Sequence, residues 1–169
     1  MGLQKRFYLL FMALMTITFV NAQNNKPASP AAVATGKING ATINITYSSP
    51  SVKGRVVWGD LVPYNKVWRA GANEATTFET DKEITIEGKK LPAGKYSFFV
   101  IPNEKECVLI FNKQAKQWGS FSYKDTEDQL RVTVKQQVAD TSAESLVYNI
   151  NKNTIVLSWE KWKIPFSVK

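Results

Sequence analysis

Residues 91–113, LPAGKYSFFVIPNEKECVLIFNK, contain two short apolar runs whose spacing predicts strands at the centre of a sheet. Tyr96, Phe98 and Val100 lie on one face of the first run, and Phe99 and Ile101 make its second face apolar as well. The second run, VLIF, is apolar at every position. Strands that are apolar on both faces are covered on both sides. The turn signals PAG and PN bound the first strand.

Most of the chain outside this stretch alternates apolar and polar residues with a period of two. Such alternation is typical of strands with one face in the core, and no segment has the pattern of an amphipathic helix longer than two turns. Many short strands separated by turns predict an all-β, single-domain antiparallel β-sandwich, with a jelly roll or a barrel as variants. The residues expected to face the core are Ile43, Ile45, Tyr47, Ile84, Ile86, Leu130, Val132, Val134, Leu146, Tyr148 and Ile150.

The last part of the chain contains a change of phase. The set expected to face the core has odd numbers in TIVLSW (154–159) and even numbers in KWKIPFSV (161–168): Ile155, Leu157 and Trp159, then Trp162, Ile164, Phe166 and Val168. In one regular strand, one of the two sets would face solvent, because a shift of one residue exchanges the faces. We therefore expect a bulge or sharp bend near Glu160 and Lys161, which would return both sets to the core.

The first 22 residues, MGLQKRFYLLFMALMTITFVNA, have the pattern of a secretory signal peptide: two basic residues, an apolar run and a small-residue cleavage site. The apolar run is shorter than the roughly 20 residues that a membrane-spanning helix needs. We expect cleavage after residue 22, export to the periplasm or the cell exterior, and no transmembrane anchor in the mature chain. Residues 23–36 are expected to form a flexible lead and residues 37–169 the β-sandwich domain, although a first strand could already include part of AAVATGKI.

The charge and cysteine content limit the partners and cross-links that can be expected. Without Lys5 and Arg6, 20 basic and 14 acidic residues remain, a net charge of +6, and the lysines are scattered rather than clustered. An exported chain without a basic stripe is not expected to bind nucleic acid. The single cysteine, Cys107, excludes an internal disulfide and is interpreted as a buried small hydrophobe.

The segment PSVKGRVVWGDLVPYNKVWRAGANEAT (50–76) fits no strand or helix period and is rich in aromatic and charged residues. Aromatic faces stack on flat or sugar-like surfaces, and arginine and asparagine fix polar groups by directional hydrogen bonds. An equally simple interpretation is that the two tryptophans plug one end of the sandwich, with Arg69 and Glu74 bonded to backbone groups. The candidate ligand-binding residues are Lys53, Arg55, Trp58, Tyr64, Trp68, Arg69, Asn73 and Glu74.

Several catalytic classes are excluded by composition. The chain has no histidine, which excludes His-dependent triads and the common zinc sites. A carboxylate-based hydrolase that uses Glu74 and Asp60 stays open, although pairing of Glu74 with Arg69 or Arg55 is the plainer expectation. The acidic turn around Asp125 fits no known calcium loop, so no metal, cofactor or catalytic residue is assigned.

Three blocks of the chain carry a family resemblance: residues 50–76 and 91–113, quoted above, and LSWEKWKIPF (157–166). Together they resemble the domain of unknown function 2911 family, small exported bacterial proteins. The resemblance covers most of residues 37–169 and implies an exported, mostly β domain. It implies no reaction, ligand or catalytic residue. Ser49 and Cys107 depart from the family pattern, which often has a basic residue at the first position and an aromatic at the second.

These observations favour a non-catalytic binding or interaction module, whose partner is a small molecule, a glycan or another cell-envelope component. The alternatives are the carboxylate-based hydrolase and a structural partner in an envelope assembly. A binding module predicts an aromatic-lined concavity, and a hydrolase predicts two carboxylates facing each other across a cleft. A structural role predicts an uncovered apolar patch or strand edge elsewhere.

Overall fold

The structure is a computed structural model that describes residues 28–169. The predicted signal peptide and the beginning of the predicted lead lie outside the described residues. The regular structure consists of antiparallel strands and one 3₁₀ turn at Asp125–Glu127. The strands are β1 (Ala31–Ile38), β2 (Ala41–Ser48), β3 (Thr76–Thr80), β4 (Ile84–Ile86), β5 (Lys89–Leu91), β6 (Gly94–Pro102), β7 (Cys107–Asn112), β8 (Asp128–Val134), β9 (Gln137–Ile150) and β10 (Thr154–Ser167).

Two layers of strands enclose the main core. Six strands form one sheet in the order β1-β2-β3-β6-β7-β8, and the hairpins β9-β10 and β4-β5 face it. Backbone hydrogen bonds join β4 to the end of β10, with Lys169 N donating to Thr85 O at 3.0 Å. Rings from both layers meet in the core, as where Phe98 lies 5.9 Å from Phe166. The predicted β-sandwich is confirmed, and neither layer closes into a barrel within residues 28–169.

The two apolar runs are interior strands of the large sheet, as their two-sided pattern predicts. One face of β6 and β7 packs into the main core. On the other face, Phe99 and Ile110 form a small second core with Ala75, covered by Val67 and Tyr123. All the predicted core-facing residues of the other strands are buried except Ile150, which is only partly covered.

The predicted bulge in the last strand is confirmed. The pairing of β10 with β9 shifts register on both sides of Glu160, whose φ of +52° is unusual for a residue other than glycine. The chain therefore continues as one strand, and apolar residues before and after the bulge both face the core. Trp159 is 1% exposed and Ile164 is fully buried.

The start of the folded domain lies earlier than residue 37. β1 begins at Ala31, where it pairs with Ser48 of β2. The predicted lead over residues 23–36 therefore overlaps an edge strand. An edge strand needs hydrogen bonds on one side only and buries little surface, so the small residues of AAVATG lack the large apolar alternation that marks the other strands.

Both departures from the family pattern are buried structural positions. Ser49 Oγ donates a hydrogen bond to Leu146 O at 2.7 Å. Burial raises the pKa of the Cys107 thiol to about 11, so the thiol stays protonated at neutral pH. Neither residue is available to a ligand.

Candidate functional site

Residues 49–75, the connector between β2 and β3, contribute most of the candidate site. The stretch 65–68 runs beside the second half of β6, where Trp68 and Val100 exchange backbone hydrogen bonds of 2.8 and 2.9 Å. β3 occupies the corresponding place beside the first half of β6. Residues 69–75 are therefore an excursion between two segments that pair with the same strand, and this excursion is closed by a hydrogen bond from Thr76 N to Arg69 O.

Four indoles close one end of the sandwich, and we call Trp58, Trp68, Trp159 and Trp162 the indole stack. Trp58 is at its centre, stacked on Trp162 with ring centroids 4.4 Å apart and edge-on to Trp68 and Trp159. Trp58 is 7% exposed, and its Nε1 donates to Trp159 O at 3.4 Å. Tyr64 packs on the outer side of Trp162. The aromatic residues that the connector contributes to this stack therefore pack as a plug, which is the alternative interpretation given for the sequence.

A cavity of about 320 Å³ lies beside the stack, and we call it the arginine cavity. Its volume is at the lower end of the range for small-molecule sites. Trp68 and Trp159 belong both to the stack and to the lining of this cavity. The lining also includes apolar residues of the connector, among them Leu61 and Val62, and Ser120 from the segment that follows β7. Its charged members are Arg55, Lys66 and Arg69.

The backbone next to Arg69 is held in an unfavourable conformation. Ala70 is fully buried with φ +53°, the left-handed region that alanine rarely adopts. Its carbonyl oxygen accepts hydrogen bonds from Thr76 Oγ1 at 2.9 Å and from Tyr148 Oη at 2.7 Å. Complete burial raises the pKa of Tyr148 well above its usual value, which keeps this donor protonated. Strain that its surroundings hold in place is typical of binding and catalytic sites.

Two buried N–H donors in the lining have no acceptor among the described residues. They are Nε of Arg69 and Nε1 of Trp159. Gly119 leaves room for the guanidinium, because a Cβ on this residue would lie 3.1 Å from an Arg69 terminal nitrogen and its φ is +63°. Buried donors are almost always paired in folded proteins. Both donors belong to residues that line the arginine cavity, and each atom has less than 1 Å² of accessible surface, so they lie behind the cavity surface.

Residues 29–168 match the family model described as "Protein of unknown function (DUF2911)". The chain belongs to the DUF2911 family. Comparison with curated proteins and with solved structures gives no match. The match spans nearly all of the described chain, so the DUF2911 domain comprises both strand layers and the connector.

Three of the eight residues that the sequence nominates line the arginine cavity of this DUF2911 domain: Arg55, Trp68 and Arg69. Arg55 also donates from Nε to Val52 O at 3.0 Å and from a terminal nitrogen to Ser51 O at 2.6 Å. The guanidinium thus fixes the connector backbone as well as adding charge to the cavity.

The other five nominated residues lie outside the cavity lining. Trp58 and Tyr64 pack with the indole stack, and the Lys53 side chain is exposed. Asn73 donates to Ser48 Oγ at 3.2 Å. Glu74 is exposed and contributes to a separate cavity.

Among the lining residues that the sequence analysis did not nominate are Lys66, Ser120 and Trp159. Lys66 lies within the quoted connector and was available to the same reasoning. The alternation of apolar residues in β10 predicted that Trp159 faces the core, and its ring is indeed buried. Nothing in the local sequence around Ser120 points to the connector.

Glu74 lines two other cavities, and the larger has a volume of about 390 Å³. The polar residues that line this larger cavity with Glu74 are Thr46, Thr77, Lys95, Lys116 and Gln117. Asp60 lines neither, and no cavity described within residues 28–169 contains both carboxylates. In the described chain the Glu74 carboxylate forms no ion pair with an arginine nitrogen within 4.0 Å, contrary to the expected pairing with Arg69 or Arg55.

The acidic turn before β8 has a structural role. Asp128 accepts hydrogen bonds from Asn112, Tyr123 and Arg131. Between residues 28 and 169, no group of three Asp, Glu or Cys side chains has an arrangement that could hold a metal ion. In the same range, no helix is long and apolar enough to span a bilayer.

Proposed function

We propose that the DUF2911 domain is a non-catalytic binding module, exported to the periplasm or the cell exterior, that holds a small molecule, a glycan or another envelope component in the arginine cavity. The signal-peptide pattern of residues 1–22 supports export. The aromatic-lined concavity supports binding, because it is the feature by which a binding module differs from a structural partner.

The observation that carries the proposal is a cavity large enough for a ligand, whose lining brings three cations together beside an indole and contains no carboxylate. A segment that only plugs the end of a sandwich would be expected to bond its polar groups within the fold. The residues that leave a buried N–H unpaired, Arg69 and Trp159, both line this cavity.

Binding is favoured over hydrolysis by what lines the cavity. Its lining contains no carboxylate and no cysteine, and the chain has no histidine. The acids, bases and nucleophiles that hydrolases use most often are therefore missing from the lining, in which Lys66 is the one amine.

A thermal-shift screen of the purified protein against a panel of glycans and metabolites tests the proposal. We expect at least one compound to raise the melting temperature, and Trp68→Ala and Arg69→Ala to abolish that shift. Trp118→Ala is the matched control, since this indole is 62% exposed and does not line the cavity. A shift that persists in both cavity variants would place the binding site elsewhere, and no shift with any compound would support the structural role.

A further inference from the structure

The arginine cavity has positive charge that the fold does not neutralise. Arg55, Lys66 and Arg69 line it, and no acidic residue does. The four ion pairs of the described chain all involve other residues, so no carboxylate lies within 4.0 Å of these three cations. Cations grouped at a partly enclosed surface favour an anionic ligand, because the reduced contact with water strengthens their field.

The hydrogen-bonding groups of the cavity are mainly donors. The charged side chains of the lining, Arg55, Lys66 and Arg69, can donate hydrogen bonds and cannot accept them. A neutral sugar brings a donor with each hydroxyl oxygen and would need acceptors as well. A carboxylate or a phosphate ester brings acceptors only, and its negative charge strengthens each hydrogen bond. The donor excess therefore favours an acid over a neutral polyol.

The lining also provides an apolar surface, part of which is the flat ring of an indole. The Trp68 ring is stacked on Trp159 with centroids 5.8 Å apart. Its Nε1 donates to Gly71 O at 3.2 Å, so this indole has no donor left for a ligand. Leu61 and Val62 extend the apolar surface beside the cations. A ligand that fills the cavity thus needs an apolar body next to its acid group.

We propose that the ligand is an organic acid, a carboxylate or a phosphate ester, with a flat apolar body. Its acid group pairs with the Arg69 guanidinium, and its body lies against Trp68. Lys66 and Arg55 add charge attraction without a fixed geometry. This inference rests on the proposed binding function and specifies the ligand class for the same cavity.

Five small probes test it by calorimetric titration of the purified protein: 2-naphthoate, 2-naphthyl phosphate, 2-naphthamide, glucuronate and inorganic phosphate. We expect one or both naphthyl acids to bind, and the better one shows which acid group the site prefers. We expect about tenfold weaker binding of the neutral amide, because it lacks the charge that the cations require. Glucuronate and inorganic phosphate, which lack the apolar body, should also bind more weakly, and the binding of the acids should weaken as salt is added.

Two variants test the charged contacts, with melting temperature as the check that each has folded. Arg69→Lys keeps the charge and removes the planar fork that can hold two acid oxygens, and Lys66→Gln removes one charge from the lining. Each should weaken binding of the better acid roughly three- to tenfold. Lys152→Gln, which removes an exposed cation in the β9–β10 turn, should leave it unchanged.

The outcomes separate this inference from the proposed function. If the amide binds as tightly as the acids, or if Arg69→Lys and Lys66→Gln both bind like the original protein, the ligand class is wrong and the binding function stands. The same holds if all five probes fail while a neutral compound from the wider panel depends on Trp68 and Arg69. If neither these probes nor the panel bind, both proposals fail.

Discussion

The indole stack and the arginine cavity are adjacent and share Trp68 and Trp159, yet they differ in how their buried N–H groups are bonded. Trp58, at the centre of the stack and outside the cavity lining, donates from Nε1 to a backbone carbonyl. The two buried N–H donors without a partner in the described chain, on Arg69 and Trp159, both belong to residues of the cavity lining. Aromatic and cationic composition therefore does not separate packing from binding, and unpaired buried donors occur only on the side of the stack that adjoins the cavity within residues 28–169.

The two regions also differ in what holds them together. Ring contacts between 4.4 and 6.0 Å stabilise the stack around Trp58. The cavity wall depends on directed hydrogen bonds, above all those to the carbonyl of the strained Ala70. Substitutions that remove a ring from the stack should therefore lower the free energy of unfolding more than substitutions that remove one hydrogen bond from the cavity wall.

The largest effect is expected from Trp58→Ala. This indole is at the centre of the stack, and its loss leaves a large cavity that the rigid ends of β10 cannot fill. Chemical denaturation should show a loss of about 3–5 kcal/mol in the free energy of unfolding. Trp118→Ala removes an indole that is mostly exposed and should cost no more than about 0.5 kcal/mol. Equal losses for the two variants would contradict the assignment of Trp58 as the plug.

Tyr148→Phe should cost less, about 1 kcal/mol, because Ala70 O keeps its hydrogen bond from Thr76. Thr76→Val removes that second hydrogen bond and should cost a similar amount alone. The double variant leaves the buried carbonyl with neither partner, so we expect a loss larger than the sum of the two. Urea denaturation of the four chains measures this coupling. Simple additivity would mean that the two hydroxyls do not act together on the cavity wall.

The sequence predicted the strands more completely than it predicted the cavity. The strands and the bulge at Glu160 were predictable because period and phase are local properties. The edge strand from Ala31 was predicted only as an open alternative to a flexible lead, since an exposed strand of small residues has no strong pattern. The cavity was only half predictable: Arg69 lies in the conspicuous connector, but Trp159 and Ser120 reach it from distant parts of the chain. Only the folded backbone brings such residues together.

Alkaline pH should loosen the cavity region and spare the ring contacts of the stack. Tyr123 anchors the segment that carries Ser120 to the cavity by donating to Asp128 at 2.7 Å. Burial, and then the hydrogen bond to Asp128, raise the pKa of Tyr123 to about 12 from an unfolded value of 10.0. The raised pKa stabilises the neutral form, so its stabilising contribution is complete below pH 10 and is lost as the pH rises towards 12.

We therefore expect a smaller loss of stability above pH 10 in Tyr123→Phe than in the original chain. Denaturation series at about pH 9 and about pH 11 measure it. The other titrating groups, including Tyr148, are present in both chains, so the difference between the two series isolates Tyr123. The effect should be modest, because Tyr123 is only partly buried. Parallel losses in the two chains would show that this phenol does not hold the segment in place.

The smallest effect is expected from Glu74→Gln. Glu74 is exposed, lies outside the arginine cavity and forms no ion pair with an arginine nitrogen within 4.0 Å in the described chain. Its substitution should change the free energy of unfolding by no more than about 0.5 kcal/mol, and the melting-temperature shift caused by a cavity ligand should be unchanged. A hydrolase that uses Glu74 would behave in the opposite way, because an amide cannot act as the acid or the nucleophile and turnover would stop while stability stayed the same. Measuring stability, ligand-induced shift and glycoside hydrolysis on this one variant therefore separates a cavity that only binds from a surface carboxylate that reacts.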